Sequence, residues 1–176
     1  SKSEIKKPSE EKIVDYNKLE KQVNEHLHKL AIIKLNGGLG TSMGLKKAKS
    51  LLPVKGELTF LDIIAKQVLF LREKNKSQVP IIFMNSFNTQ ADTLSALAKY
   101  ENIGKQVCPL DFIQNKFPKI RKDNFMPLEN KDDTLNWNPP GHGDIYSCLA
   151  QEGIIDTLLK HGIEYVFVSN SDNLGA

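Results

Sequence analysis

The chain has two cysteines and one tryptophan in 176 residues. Cys108 and Cys148 are too few and too far apart for a disulfide framework or a zinc site. They predict free thiols in a reducing, cytoplasmic compartment. No apolar stretch approaches the ~18 residues of a membrane-spanning helix. No signal-peptide pattern follows Ser1. A strong excess of one charge is also missing: 24 Lys and Arg against 21 Asp and Glu leave a formal +3. That surplus is too small for a nucleic-acid binder, but it suits an acidic small molecule. Internal repeats, low-complexity tracts and Ser-His-Asp or Cys-His arrangements are absent, which argues against solenoids and against nucleophilic catalysis. What is left is an ordinary globular composition, 40% hydrophobic and 26% charged, and one domain's worth of chain.

Against this background one segment stands out. Leu30-Ala31-Ile32-Ile33-Lys34-Leu35 reads as a buried strand. It runs straight into Asn36-Gly37-Gly38-Leu39-Gly40-Thr41-Ser42-Met43-Gly44, with four glycines in eight positions. A glycine-rich turn at a strand's C-terminal end is where open α/β sheets bind ligands, and its N–H groups can converge on phosphate oxygens. The dinucleotide fingerprint is excluded, because Met43 stands where its third glycine belongs. The P-loop is excluded too, because none of Gly37, Gly38 and Gly40 has a glycine five positions on. Lys46-Lys47-Ala48-Lys49-Ser50-Leu51-Leu52-Pro53 follows the loop and supplies cations.

The rest of the pattern alternates helices and strands. Tyr16, Leu19, Val23, Leu27 and Leu30 share one face of a helix starting near Ser9. Thr59-x-x-Asp62 is a capping box ahead of a helix carrying Leu61, Ile64, Val68 and Leu71. Pro80–Met84 reads as a strand, and Thr89 opens a helix with Leu94, Leu97 and Ala98. A weak strand is expected at Lys105–Cys108. Five prolines interrupt residues 109–141, which read as an ordered, substrate-facing loop anchored by Phe112, Phe117, Phe125 and Trp137. One helix is expected from Ile145 to Leu159, with Asp144 as its cap. Tyr165–Val168 reads as a buried strand. This alternation implies βαβ units and a mainly parallel sheet.

Four motifs in this order carry a resemblance. They are the glycine loop with Lys-Ser-Leu-Leu-Pro, then Met84-Asn85-Ser86-Phe87-Asn88-Thr89. Pro139-Pro140-Gly141-His142-Gly143-Asp144 and Ser169-Asn170-Ser171-Asp172-Asn173-Leu174-Gly175-Ala176 follow. Over about residues 31–176 the chain resembles the eukaryotic UDP-glucose pyrophosphorylase family of uridylyltransferases. The resemblance implies an α/β, Rossmann-like nucleotidyltransferase sandwich of the glycosyltransferase-A type, truncated. Residues 1–30 would be a helical extension, and 31–176 the first part of the catalytic domain. Family members are much longer, so the chain reads as an N-terminal fragment, inactive alone. Where the family often has an apolar residue between Asn170 and Asp172, this chain has Ser171.

The implied reaction joins UTP and glucose 1-phosphate into UDP-glucose and pyrophosphate, with Mg²⁺. A sugar-phosphate oxygen attacks the α-phosphorus in line with the leaving pyrophosphate, so positioning and charge neutralisation dominate. By resemblance, Leu35, Asn36, Gly37, Gly38, Lys49, Gln114, Gly141 and Asp172 contact the nucleotide. Gly37, Gly38, His142, Asn170, Ser171 and Asp172 contact the sugar phosphate. Lys49 is the catalytic cation beside the leaving group, Gln114 reads uracil, and Asp172 holds the metal, with Asp144 a weaker metal candidate. The same residues also fit a transferase for another sugar 1-phosphate, or a uridine-nucleotide-binding module without catalysis.

Overall fold

The computed structural model describes residues 26–39 and 47–175. Four parallel strands form its sheet: β1 (Leu30–Asn36), β4 (Ile81–Asn85), β5 (Asp111–Ile113) and β8 (Tyr165–Asn170), in the order β5-β4-β1-β8. Every residue of β4 is buried, because helices cover both faces. Side chains alternate between the faces of a strand. Ile81 and Phe83 therefore meet Leu61, Ile64, Ala65 and Val68 of α1 (Phe60–Asn75) and Leu97 of α2 (Gln90–Leu97). Ile82 and Met84 meet Cys148 and Leu149 of α3 (Ile145–Gln151) and Ile154 and Leu158 of α4 (Ile154–Lys160). Two small antiparallel pairs lie outside the sheet: β2 (Pro53–Lys55) with β3 (Leu58–Thr59), and β6 (Phe117–Pro118) with β7 (Trp137–Asn138).

The capping box forms as expected. Thr59 Oγ1 accepts from Asp62 N–H at 3.1 Å, and Asp62 Oδ2 accepts from Thr59 N–H at 2.9 Å. Asp62 also accepts from Tyr100 Oη at 2.9 Å and pairs with Lys99 Nζ at 2.7 Å. Burial pushes this carboxyl up. The bonds from Lys99, Thr59 and Tyr100 outweigh burial and hold it well below the usual carboxylate range. A carboxyl depressed in the folded state stabilises above its unfolded pKa and loses that contribution as pH falls toward the folded value. Asp62→Ala is expected to cost about 2 kcal/mol in urea unfolding at neutral pH. The gap to the parent should narrow below pH ~4. An equal gap in acid and at neutrality would show that the ionised carboxylate contributes nothing.

Several expectations are corrected. Most of the helix expected over 9–30 lies outside the described residues, but its end does not form: Leu27–Lys29 is a 3-10 turn and Leu30 already opens β1. Lys105–Cys108 is not a strand. Gln106 instead uses its side chain as a strand would use its backbone: Oε1 accepts from Ile81 N–H at 2.9 Å and Nε2 donates to Ile81 O at 2.8 Å. Arg72, buried in α1, holds the same connection through Val79 O, Asn102 O, Ile103 O and Gln106 Oε1. The paired strand comes later, at β5. The helix expected over 145–159 is two helices, broken at Gly153, whose φ of +64° stops α3. Phe112 is a buried anchor, but Phe125 is 80% exposed and anchors nothing. Tyr165, Val166, Phe167 and Val168 are exposed, because β8 is an edge of the described sheet.

Candidate functional site

Parallel register puts the C-terminal ends of the strands side by side. Leu35 lies opposite Asn170, and Asn36 opposite Asn85. Short polar side chains knit this rim below the surface. Asn36, only 3% exposed, donates through Nδ2 to Asn85 Oδ1 and Thr93 Oγ1, each at 2.8 Å, and accepts from Ser171 Oγ at 2.8 Å. Asn85 in turn donates to Asp111 Oδ2 at 3.0 Å. Both Nδ2 hydrogens of Asn36 are therefore spent inside the fold and its oxygen is engaged there too, which turns the side chain inward. Ser171, the departure from the family pattern, supplies the bond that ties the turn after β8 to β1.

The segment after β1 turns back on itself. Leu39 bridges Ala48, and Lys49 N–H donates to Gly38 O at 3.2 Å. Lys49 thereby returns to the glycine turn across residues 40–46, which lie outside the described part. Ser86 Oγ donates to Gly37 O at 2.9 Å and holds the turn from the β4 side. A cleft of about 130 Å³ opens here, lined by Leu35, Gly38, Lys49, His142, Asn170, Ser171 and Asp172. Seven of the residues singled out in the sequence thus share one small space. Across it, Lys49 Nζ stands 3.9 Å from Asp172 Oδ2, with the two side chains 38% and 41% exposed. So open an ion pair contributes little to stability. It leaves a cation and a carboxylate available to a ligand.

Gly37 and Gly38 also border a larger hollow of about 690 Å³, with Asn88, Lys119, Trp137 and Pro139 in its wall. Gln114, 6% exposed, lies directly against Gly37: a Cβ there would fall 1.8 Å from its Nε2. Its Oε1 is buried and has no hydrogen-bond partner. Such an atom costs free energy unless something completes it. Gly141, at φ +104°, a region open chiefly to glycine, turns the chain between Pro139 at the hollow and His142 at the cleft.

Asp144 does not cap α3. Its carboxylate faces Asn115 instead, accepting from the backbone N–H at 2.7 Å and from Nδ2 at 2.9 Å. Cys148 Sγ donates to it at 3.1 Å. Burial raises this carboxyl and the bonds from Asn115 and Cys148 lower it, with a net shift below the ordinary value. Both Asp144 oxygens accept hydrogen bonds inside the fold, which turns the carboxylate toward Asn115 and Cys148. The sequence reading gave no site role to Thr93 or Asn115, quoted Asn85 only within a motif, and took Trp137 only as an anchoring aromatic, over whose ring Lys116 Nζ sits at 4.4 Å. Asn85 was legible as an amide ending a strand beside the glycine turn. The others depend on long-range packing.

A sequence model of the family described as UTP–glucose-1-phosphate uridylyltransferase matches residues 1–176. The chain belongs to this family. It is 44% identical to the UTP–glucose-1-phosphate uridylyltransferase of Solanum tuberosum, over 99% of this chain and 38% of that protein. It is 41% identical to a probable UTP–glucose-1-phosphate uridylyltransferase of Schizosaccharomyces pombe, over 98% of this chain and 35% of that one. Among solved structures, a Trypanosoma brucei UDP-glucose phosphorylase superposes with a TM-score of 0.80 at 47% identity, covering 85% of this chain and 32% of that one. A mutant of Leishmania major UDP-glucose pyrophosphorylase in complex with UDP-glucose gives 0.81 at 41% identity, covering 91% and 34%. The chain thus spans little more than a third of the length of the curated relatives it matches, and it shares its mixed α/β fold with a mainly parallel sheet with the solved structures. Among the described residues, no helix is long and apolar enough to cross a membrane.

Proposed function

We propose that the chain carries the nucleotide- and sugar-phosphate-facing part of a UDP-glucose pyrophosphorylase, which forms UDP-glucose and pyrophosphate from UTP and glucose 1-phosphate. The observation that carries this reading is the meeting of Gly38, Lys49, His142, Asn170 and Asp172 in one cleft, with Gln114, whose buried Oε1 has no partner, packed against the adjoining Gly37. A side-chain amide offers donor and acceptor together, which matches the edge of uracil. Its seat against Gly37 supports a uracil edge beside the glycine turn. The glycine backbone leaves room for phosphates to approach.

The chemistry asks these residues to orient and neutralise. His142 and Asn170 hold the sugar phosphate so that its oxygen faces the α-phosphorus. Lys49, a compact cation, meets negative charge as it builds on the departing pyrophosphate. Among the described residues, no group of three His, Cys, Asp or Glu could cage a metal. One open carboxylate, Asp172, does suit Mg²⁺, which is usually held by one or two carboxylates together with substrate phosphates and water. Bound in that way, Mg²⁺ would draw charge from the phosphate oxygens. The two free, buried thiols support a reducing, cytoplasmic setting.

Calorimetry on the 176-residue chain with UTP, CTP and ATP tests the base-reading part. UTP is expected to bind tightest, and a preference for ATP would remove Gln114 from uracil recognition. In the full-length protein, UDP-glucose should appear with one equivalent of pyrophosphate. Uridine binding without product would leave a nucleotide-binding module. Faster turnover of another sugar 1-phosphate would change the acceptor.

A further inference from the structure

We infer that Asp144 is a positioning residue for base selection, holding Gln114 in place through Asn115. The inference rests on the uridine reading of Gln114 given above. The last residue of β4 fixes the Gln114 backbone from one side, since Gln114 N–H donates to Asn85 O at 2.8 Å. On the other side the chain leaves β5 at Ile113 and would be free to swing. Asn115 stops it. Its backbone N–H and its side-chain Nδ2 both end on the Asp144 carboxylate, at 2.7 and 2.9 Å. Two parallel bonds to one carboxylate restrict rotation as well as distance, and charge assistance strengthens each.

Asp144 is itself held firmly. It closes the short 3-10 turn His142–Asp144, is gripped by the Cys148 thiol from the next turn, and sits over the core residues Ile145 and Cys148. The carboxylate therefore joins two segments that lie far apart in sequence. One carries Gln114 against Gly37; the other carries Gly141 and His142. Asp144 makes no contact with the 130 Å³ cleft or the 690 Å³ hollow, so it acts through its neighbours and not on the substrate. Gln114 has little slack, because its amide is packed on Gly37 with no room for a Cβ. A small shift at Asn115 moves the amide off the uracil edge.

The test is carried out in the full-length protein. It reads dissociation constants for UTP and CTP together with the thermal midpoint. Asp144→Ala is expected to weaken UTP about tenfold while CTP changes less than about twofold, so the preference for UTP collapses. Asp144→Asn should recover most of the preference, because the Asn115 amide can turn over and meet the new amide N–H with its oxygen. Asn115→Ala keeps the bond from the backbone N–H and should give an intermediate loss. If Asp144→Ala does not fold, Asn115→Ala decides the matter by the same ratio. A UTP/CTP ratio equal to that of the parent overturns the inference, even if the thermal midpoint drops. A parent that shows no preference for UTP defeats the uridine reading itself, and the inference falls with it.

Discussion

Asp172→Asn in the full-length protein is expected to lower turnover on the order of 10²-fold or more and to leave the fold intact. The substitution keeps shape and size, and it replaces a hard anionic oxygen donor with a neutral amide, a poor ligand for Mg²⁺. Stability should change by less than about 0.5 kcal/mol, because the side chain is 41% exposed and its ion pair with Lys49 is long. The backbone of the turn is held independently: Ser171 N–H donates to Leu35 O at 3.0 Å and Ser171 Oγ to Asn36. Turnover measured across a Mg²⁺ titration, beside a urea melt, separates the two effects. Parental turnover would exclude Asp172 from the metal site. A lost fold would make it a structural residue.

Gly37→Ala is the second large effect. The added methyl would overlap Gln114 Nε2 and crowd Gln114 Cδ at 3.0 Å, while Ser86 Cβ at 3.6 Å is ordinary contact. The group that must give way is therefore the Gln114 amide, the tip of a buried side chain. Displacing it costs stability by about 1–3 kcal/mol, as overpacking generally does. On the proposed uridine reading it also moves the donor–acceptor pair away from the base. UTP affinity is expected to fall about tenfold to a hundredfold, with loss of preference over CTP. The double variant Gly37→Ala with Gln114→Ala relieves the crowding, so it should regain stability in the urea melt but not the selectivity. Selectivity that returned with stability would place base recognition elsewhere.

How much of this was legible in the chain varies with the range of the interaction. The capping box at Thr59 and Asp62, the strand into the glycine turn and the helix at Phe60–Asn75 depend on neighbours within a few residues, and all stand in the structure. Periodicity failed where a single side chain changed the local outcome. Gln106 replaced a backbone ladder with its amide, and Gly153 split a helix whose apolar spacing continues across the break. Asp144 looked like a cap because it precedes a helix. A partner distant in sequence, Asn115, competes for the same oxygens and wins with two bonds.

The sequence by itself determined the alternation of strands and helices, the kind of loop after β1 and the residue types of the site, because backbone propensity, apolar period and glycine content are local properties. Motif order also carried the family. Only the tertiary structure decided which of those residues meet. Lys49, His142 and Asp172 share a cleft because parallel register aligns the ends of β1 and β8 and the Leu39–Ala48 bridge folds Lys49 back. Only the tertiary structure, too, showed Gln114 seated on Gly37 with an unsatisfied oxygen, and Asn36 spent inside the fold. The apolar run Tyr165–Val168 carries the same lesson. Composition says that a strand can be buried, but its coverage is set by the neighbours packed on it, and β8 has a neighbouring strand on one side alone among the described residues.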